Sequence, residues 1–449
     1  MKICKLIVPD YQQFKNFELD LTYPEDHPKA GKPLDKVCFI GTNGTGKSTL
    51  LRIIDSSLQS MSYKENDASY NIILKLKKNK SNFYYSSYLR GVNPPDRKLR
   101  GYFSSDIDKE KDWFYILEKD TLSFKNRFLK YLLEETNFQL KANDDLIIYS
   151  PAESNENHLL DLNDIPETNV NEALSLFDGL EISYEISNSH IKEFWKLLVF
   201  LVKKRENERE IFENKEENLN KTKKHLIEEF EKINPKILEK LSELWNRILA
   251  KAGLEFDIKN AIIPRQLKDN LIAYIKLKSD NNTIIRYKEL STGIRNFIFR
   301  LGYIFALYFN RKISNGFLLV DEPENSLYPE FLYDLVDVYC GITQNTQLFM
   351  ATHNPIIAAQ FEPCERVILE FDKNGYVTAD RGAAPIGDDP NHILTQDFDL
   401  KNLLGKEGQK MWEEYVELKK KLIRATSIEE KDQLISQISS IGDKYNFEV

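Results

Sequence analysis

Gly41-Thr42-Asn43-Gly44-Thr45-Gly46-Lys47-Ser48 sets three glycines, a lysine and a hydroxyl between an apolar run, Val37 to Ile40, and the amphipathic stretch that continues from Thr49. Glycines so spaced let successive backbone amides turn inward around an anion, while the lysine brings a mobile positive charge and the serine a hard oxygen. The pattern is that of a phosphate-binding loop, and it stands where one must, after a strand and before a helix. Gly41, Asn43, Gly44, Thr45, Gly46, Lys47, Ser48 and Thr49 are expected to bind ATP, with Lys47 at the β- and γ-phosphates and Ser48 on Mg²⁺.

Phe317-Leu318-Leu319-Val320 ends in Asp321-Glu322. Four apolar residues in succession indicate a strand covered on both faces, as in a central parallel sheet. At its C-terminal edge Asp321 would join the Mg²⁺ shell and Glu322 would accept a proton from the attacking water, although a solvated turn could carry the same pair. Leu348 to Ala351 leads in the same way to Thr352-His353-Asn354-Pro355. His353 follows Glu322 by 31 residues (353 − 322), enough for one helix and a return to a neighbouring parallel strand. That would bring the imidazole to the same sheet edge, within reach of the γ-phosphate or the attacking water; a lone histidine also serves structural roles.

Arg286 to Gly302 contains Ser291-Thr292-Gly293 just ahead of Ile294, Phe297, Ile298 and Leu301, which share one helical face. The small residues admit two readings. Ser291 is a plain N-cap, or the hydroxyl and free amides at the helix start await an anion.

The elements that must position these groups alternate between strand and helix, which gives an α/β fold. Strand patterns run through Ile3, Leu6, Ile7 and Val8, through Phe17, Leu19 and Leu21, through Ile73, Leu74 and Leu76, and through Leu146 to Tyr149, stopped by Pro151. Lys75, Lys77, Lys78 and Lys80 read as a solvated hairpin tip, or as a contact to a phosphate backbone. Residues 155–185 are acidic and loop-like. From Ser189 to Gly253 a long helical zone, broken at Asn234-Pro235, carries few apolar residues between Lys203 and Lys224, so no heptad seam is expected. Strand signals return at 262–263, 271–275 and 284–285. A helix is expected over Tyr328 to Tyr339 and a hairpin over Val367 to Val377 around Asp372-Lys373-Asn374-Gly375. The expected domains are 1–185 and 255–390 as two lobes of one head, 186–254 as an inserted helical arm, and 391–449 as a helical C-terminal tail for docking.

The 449 residues, 41% apolar with 26 Phe and 22 Tyr, supply a large core. A net charge of −8 argues against a surface that coats nucleic acid as a whole. Four scattered cysteines without metal-ligand spacing suit a reducing compartment. No signal segment or bilayer-length apolar run is read, so a cytoplasmic chain with no membrane partner is expected.

In their order, phosphate loop, Leu-Ser-Thr-Gly, Asp-Glu and His, these motifs resemble the ATP-binding heads of ABC-class ATPases. DEPENSLYPE and ATHNP resemble the SMC, RecF and OLD-like group and the bacterial restriction- and phage-defence-associated AAA-family ATPases. The resemblance covers about 1–60, 145–155 and 285–360. Leu290 to Ile294 looks like the signature motif of that class, Pro323 to Leu327 like its D-loop, and IIYSPAES like the strand and loop ahead of the arm. Tyr328-Pro329 stands where many relatives have His-Pro, Lys15 where many have Arg, and Glu153 near the place of a Q-loop glutamine, with Gln139 before it.

The resemblance implies a P-loop ABC-type head that hydrolyses ATP with Mg²⁺, with Glu322 and His353 catalytic and Ser48 and Asp321 on the metal. Ser291, Thr292 and Gly293 would contact ATP in trans, across a homodimer or higher homo-oligomer. It further implies a separate effector, a nuclease or toxin, under control of the head in anti-phage defence. A DNA-binding clamp of repair type is the alternative, with nucleic acid as partner. A hexameric AAA+ machine would have no use for Leu-Ser-Thr-Gly ahead of Asp-Glu, and a kinase would need an acceptor site.

Overall fold

The computed structural model describes residues 1–62, 72–78, 81–88, 99–101, 145–152, 181–186, 191–262, 272–285, 289–313, 315–342 and 345–447. They form two compact units, Met1–Gly387 and Asp388–Val449.

The first unit opens with β1 (Lys2–Tyr11), β2 (Phe14–Asp20), β3 (Lys36–Gly41) and α1 (Lys47–Ser62), followed by β4 (Ile72–Lys78), β5 (Ser81–Tyr88), β6 (Leu99–Gly101), β7 (Leu146–Ser150) and β8 (Ser183–Glu185). Then come α2 (Ile191–Glu213), α3 (Lys223–Ile233), α4 (Ile237–Leu249), β9 (Leu254–Ile262), β10 (Ile272–Leu277), β11 (Asp280–Ile285) and α5 (Thr292–Arg311). The unit closes with β12 (Asn315–Asp321), α6 (Pro329–Leu332), α7 (Leu335–Ile342), β13 (Asn345–Ala351), α8 (Pro355–Ala358), β14 (Arg366–Phe371) and β15 (Val377–Arg381).

Among the described residues the strands fall into three sheets. The largest has the order β15-β14-β3-β13-β12-β7-β8, parallel throughout except for β15. This is the α/β architecture expected. Its central strands are the apolar runs: β7 is buried along its whole length and β12 at every position but the first, because helices cover both faces of a parallel sheet. An antiparallel sheet, β2-β1-β4-β5-β6, lies against it and shares its core. Gln347, fully buried in β13, stitches the two: its Oε1 accepts from Ile3 N at 2.7 Å and its Nε2 donates to Ile3 O and Leu34 O, each at 2.9 Å. A buried amide needs such partners, since each unmade hydrogen bond there costs about 1–3 kcal/mol. The third sheet, β11-β10-β9, follows α4.

The structure departs from the sequence reading at four places. Residues 183–185, read as loop, form β8, a parallel edge strand beside β7. The helical zone breaks a second time, at 214–222, where three asparagines (214, 218 and 220) compete for backbone bonds and buried Asn218 donates to Phe212 O at 2.8 Å. The helix expected over 328–339 is two pieces: the first turn closes three residues back, Phe331 N to Tyr328 O, and the regular ladder restarts at Val338 N to Asp334 O. Lys75 and Lys77 sit within β4, opposite Lys5 and Lys2 of β1, rather than at a tip, whereas Lys78 pairs with Ser81 at the end of the antiparallel β4–β5 ladder; Lys80 lies outside the described residues. The hairpin at Asp372 is as expected, with Asp372 Oδ1 accepting from Asn374 N and Tyr376 N, each at 2.8 Å.

α5 is buried on nearly every side, which explains its apolar all-round sequence. α4 buries Ile237, Leu238, Leu241, Leu244, Trp245, Ile248 and Leu249, one stripe at helical spacing. In the second unit α9 (Pro390–Gln396) precedes α10 (Lys406–Arg424) and α11 (Ile428–Tyr445), which pack through Tyr415, Ile438 and Phe447. Among the described residues no helix is long and apolar enough to cross a membrane.

Candidate nucleotide site

The loop 41–48 leaves the C-terminal end of β3 and enters α1, so the free amides at the start of a sixteen-residue helix face the turn. Gly46 sits at φ +90°, and a Cβ there would lie 2.3 Å from Gln13 Nε2 and 2.8 Å from Phe14 Cζ. A side chain there would be strained by the backbone and would have to displace both neighbours. Gln13, in the β1–β2 turn, donates to Gly44 O at 3.2 Å and so supports the loop from a distant part of the chain. The buried Thr45 hydroxyl donates to Thr42 O at 2.8 Å. Lys47 Nζ, also buried, donates to Gly41 O at 2.9 Å and Thr42 O at 3.2 Å.

Three neighbouring parallel strands end together at this edge. β13 lies between β3 and β12, with Asp321 beside Ala351 and Ala351 beside Phe39. The ladder continues past the strands, from Glu322 N to Ala351 O at 2.9 Å and from Thr352 N to Phe39 O at 3.1 Å. The phosphate loop, Asp321-Glu322 and Thr352-His353 are therefore brought to one sheet edge, as the 31-residue spacing from 322 to 353 implied.

The electrostatics agree with that proximity. Burial pushes Lys47 down to about 8, opposed by Asp321, Glu322 and Glu324. Burial raises Asp321, with the neighbouring Ser48 hydroxyl acting against it, Glu322 adding to it, and Arg300 and Lys47 opposing. His353 is held below the usual imidazole value by burial and by Lys47, against the pull of Glu322. Lys47, Asp321, Glu322, Glu324 and His353 thus feel one another.

The turn after β12 is strained. Glu322 (φ +43°) and Ser326 (φ +62°) both occupy the left-handed region, at a cost of about 1–3 kcal/mol each for residues with a side chain. Arg300, buried in α5, anchors this turn by donating to Pro151 O, to Asp321 O at 3.2 Å and to Glu322 O at 3.4 Å. Asn325 Nδ2 donates to Glu322 Oε2 at 3.1 Å.

Ser291 caps α5, its Oγ accepting from Ile294 N at 3.4 Å. Ser291 and Thr292 are exposed, and Thr292 Oγ1 accepts from Arg295 at 3.4 Å. Gly293 is buried against the turn just described: a Cβ there would lie 1.9 Å from Ser326 O. The signature-like segment and the D-loop-like segment are in backbone contact within one chain, while among the described residues the side-chain hydrogen bonds of Ser291 and Thr292 stay within α5.

Sequence reasoning had no signal for Gln13 or Arg300, whose partners are remote, and treated Glu324 as one letter of a motif. Lys15 places its ammonium 5.0 Å from the Tyr376 ring centroid. Tyr328 is exposed. Gln139 and Glu153, the positions considered for a Q-loop, lie outside the described residues.

No curated protein matches the chain in sequence. Among solved structures, it is similar to an Smc head bound to the C-winged-helix domain of ScpA, at 14% identity and TM-score 0.41 over 85% of this chain and 98% of that one. An SMC head domain from Thermotoga maritima aligns at 11% identity and TM-score 0.41, over 86% and 100%. An Smc head with an extended coiled coil, bound to the C-terminal domain of ScpA from Pyrococcus furiosus, aligns at 13% and 0.38, over 85% and 96%. Residues 1–358 match the family model of the AAA ATPase domain. A match over that much of the chain shows the family: the protein is a member of the AAA ATPase domain family, an ATP-binding P-loop ATPase.

Proposed function

We propose that the chain is an ABC-type head that closes on a second copy of itself around ATP, and that hydrolysis reopens the pair and so controls a separate effector. One observation carries the reading. The phosphate loop, Asp321-Glu322 and His353 share a sheet edge, whereas Ser291 and Thr292 stand exposed, and among the described residues their side-chain hydrogen bonds go to Ile294 and Arg295. A helix start presented outward suits an anion brought by another subunit. Ser291, Thr292 and the Gly293 amide would then meet the γ-phosphate held by the partner's loop, which makes the interface two-fold.

Gly41, Asn43, Gly44, Thr45, Gly46, Lys47, Ser48 and Thr49 hold the triphosphate, Glu322 takes the proton of the attacking water, and His353 hydrogen-bonds the γ-phosphate or that water. The Ser48 hydroxyl beside the buried Asp321 carboxylate is a hard-oxygen pair that fits Mg²⁺, with phosphate oxygens and water completing the shell. The ion would neutralise charge between the β- and γ-phosphates.

The resemblance to defence-associated ATPases supports a nuclease or toxin as the effector, with 391–449 as a docking element. A repair-type DNA clamp is the second reading, favoured by Lys5, Lys75 and Lys77 around a cavity of about 270 Å³ that Asp20 and Thr22 also line. To test the two, tagged Glu322→Gln protein is isolated from its source cells with Mg-ATP, its mass measured and co-eluting material identified. A dimer with a stoichiometric nuclease or toxin is the expected result. Retained DNA without a protein partner favours the clamp, and a monomer at saturating ATP sinks the dimer.

Lys47 gives a pH-dependent prediction. Its lowered value means that the free site loses the ammonium as pH rises through about 8, whereas a bound polyphosphate restores it. Binding therefore takes up a proton above pH 8, and affinity for Mg-free nucleotide should be flat below that point and fall by up to about tenfold per pH unit above it. Calorimetric titration in buffers of differing ionisation enthalpy reads the proton directly.

A further inference from the structure

The turn after β12 carries a carboxylate to which the scheme above gives no task. Glu324 lies two residues beyond Glu322, yet its side chain reaches across to the neighbouring strand end. Oε1 accepts from Thr352 Oγ1 at 2.5 Å and from the backbone N of His353 at 3.1 Å. Oε2 is buried with no hydrogen-bond partner among the described residues. Thr352, fully buried, passes the connection on: its hydroxyl accepts from Asn354 N at 2.9 Å, and Asn354 Oδ1 caps α8 by accepting from Ile356 N at 2.9 Å.

Strand pairing holds the backbones together only as far as Glu322 N and Ala351 O. Past that bond the two turns diverge, one toward Ser326 and the other into α8. The His353 ring is only partly shielded, and no hydrogen bond to it is found among the described residues, so its direction follows mainly from its backbone. Phe39 O holds that backbone at Thr352 N, and Glu324 holds the next amide, that of His353.

The charge of Glu324 cannot be its main use. Asp321 and Glu322 already place negative charge beside Lys47, and Lys47 feels Glu324 as well. A third carboxylate disfavours a triphosphate at this edge. What the position requires is a buried acceptor of the right length. Both hydrogen bonds fall on a single oxygen, which a glutamine amide also offers.

We infer that Glu324 is a positioning residue: it clasps the Thr352-His353 turn to the Asp321-Glu322 turn and thereby fixes the imidazole relative to the base carboxylate. This rests on the reading that Glu322 and His353 carry hydrolysis. It also places His353 under the control of the 323–327 segment, which Gly293 touches through Ser326. Movement of the helix start at α5 is then felt at His353.

The test compares the full-length chain with Glu324→Ala, Glu324→Gln, Thr352→Val and the Glu324→Ala/Thr352→Val pair, measuring kcat and, separately, equilibrium ATP affinity. Loss of the clasp should lower kcat by roughly 10- to 100-fold, the scale of a misplaced catalytic group, with ATP affinity within about threefold. Thr352→Val leaves the bond from His353 N to Glu324 in place and should fall short of the loss in Glu324→Ala, and the double variant should lose about as much as Glu324→Ala, because the Thr352 bond is one of the two that Glu324 accepts. Glu324→Gln should restore most of the turnover lost in Glu324→Ala. Parental kcat in both single variants, a parallel fall in ATP affinity, or additive losses would overturn the clasp. If Glu324→Ala does not fold, Thr352→Val and Glu324→Gln still decide it. Glu322→Gln is run alongside: parental turnover there defeats the assignment of the base, whereas a dead Glu322→Gln with fully active Glu324→Ala and Thr352→Val defeats the clasp alone.

Discussion

Glu322→Gln is expected to lower ATP turnover by roughly 10²- to 10⁴-fold, the usual contribution of a positioned general base, while leaving ATP affinity essentially unchanged. The substitution is isosteric; it removes the ability to take a proton together with one negative charge felt by Lys47, Asp321 and His353. The left-handed backbone at Glu322 is held from outside the side chain, by Ala351 O and by Arg300, so glutamine should adopt the same turn. The contact from Asn325 Nδ2 to the carboxylate can be kept by the amide oxygen. The hydrogen bonds of Lys47 and of the phosphate loop do not involve Glu322 and are kept. Bound ATP that cannot be consumed should then accumulate in the closed dimer. Single-turnover kinetics and mass at saturating Mg-ATP check the two halves: unchanged turnover places the base elsewhere, and slow turnover without a dimer separates hydrolysis from association.

Gly293→Ala should weaken the ATP-driven dimer without disturbing ATP binding to the monomer. A methyl group at this position meets the carbonyl oxygen of Ser326 at 1.9 Å. The obstacle is main chain, so no rotamer change relieves it. Either the start of α5 or the 323–327 turn must move, and overpacking of this kind typically costs about 1–3 kcal/mol. The monomer can relieve the clash by shifting the segment, whereas the interface uses it in its native place; that cost of about 1–3 kcal/mol then falls on association, roughly 5- to 150-fold per site and twice by symmetry. The phosphate loop belongs to a different element and should bind ATP as before. Sedimentation of the Glu322→Gln/Gly293→Ala pair, set against ATP affinity measured on the same sample, gives the answer. A dimer of undiminished strength would remove Gly293 from the interface.

The parts of the fold legible in the sequence are those in which one physical cause dominates locally. β7, β12 and β13 are apolar runs because both faces are buried, and α4 shows a single stripe because one face is. The phosphate loop was legible because its glycines answer to backbone geometry rather than to distant neighbours. β8 was not: three residues at a sheet edge bury too little to leave a pattern, and acidic Glu185 sits among them. The break at 214–222 was hidden by a charge pattern that suits helix and coil equally. Arg300, Gln13 and Glu324 owe their roles to partners as many as 149 residues away, and a residue read in its local context says nothing of such a partner.

The order β3-β13-β12 has a consequence of another kind. One strand separates the phosphate loop from the acidic pair, and successive strands lie about 4.8 Å apart, so the gap between the two is about 10 Å. In the proposed reaction the phosphoryl group and the water would lie across that backbone spacing. It is set by peptide hydrogen bonding and by no side chain. Mutational drift in Leu348, Phe349 and Met350 can therefore erode the melting temperature of the protein while the gauge of its reaction chamber stays constant.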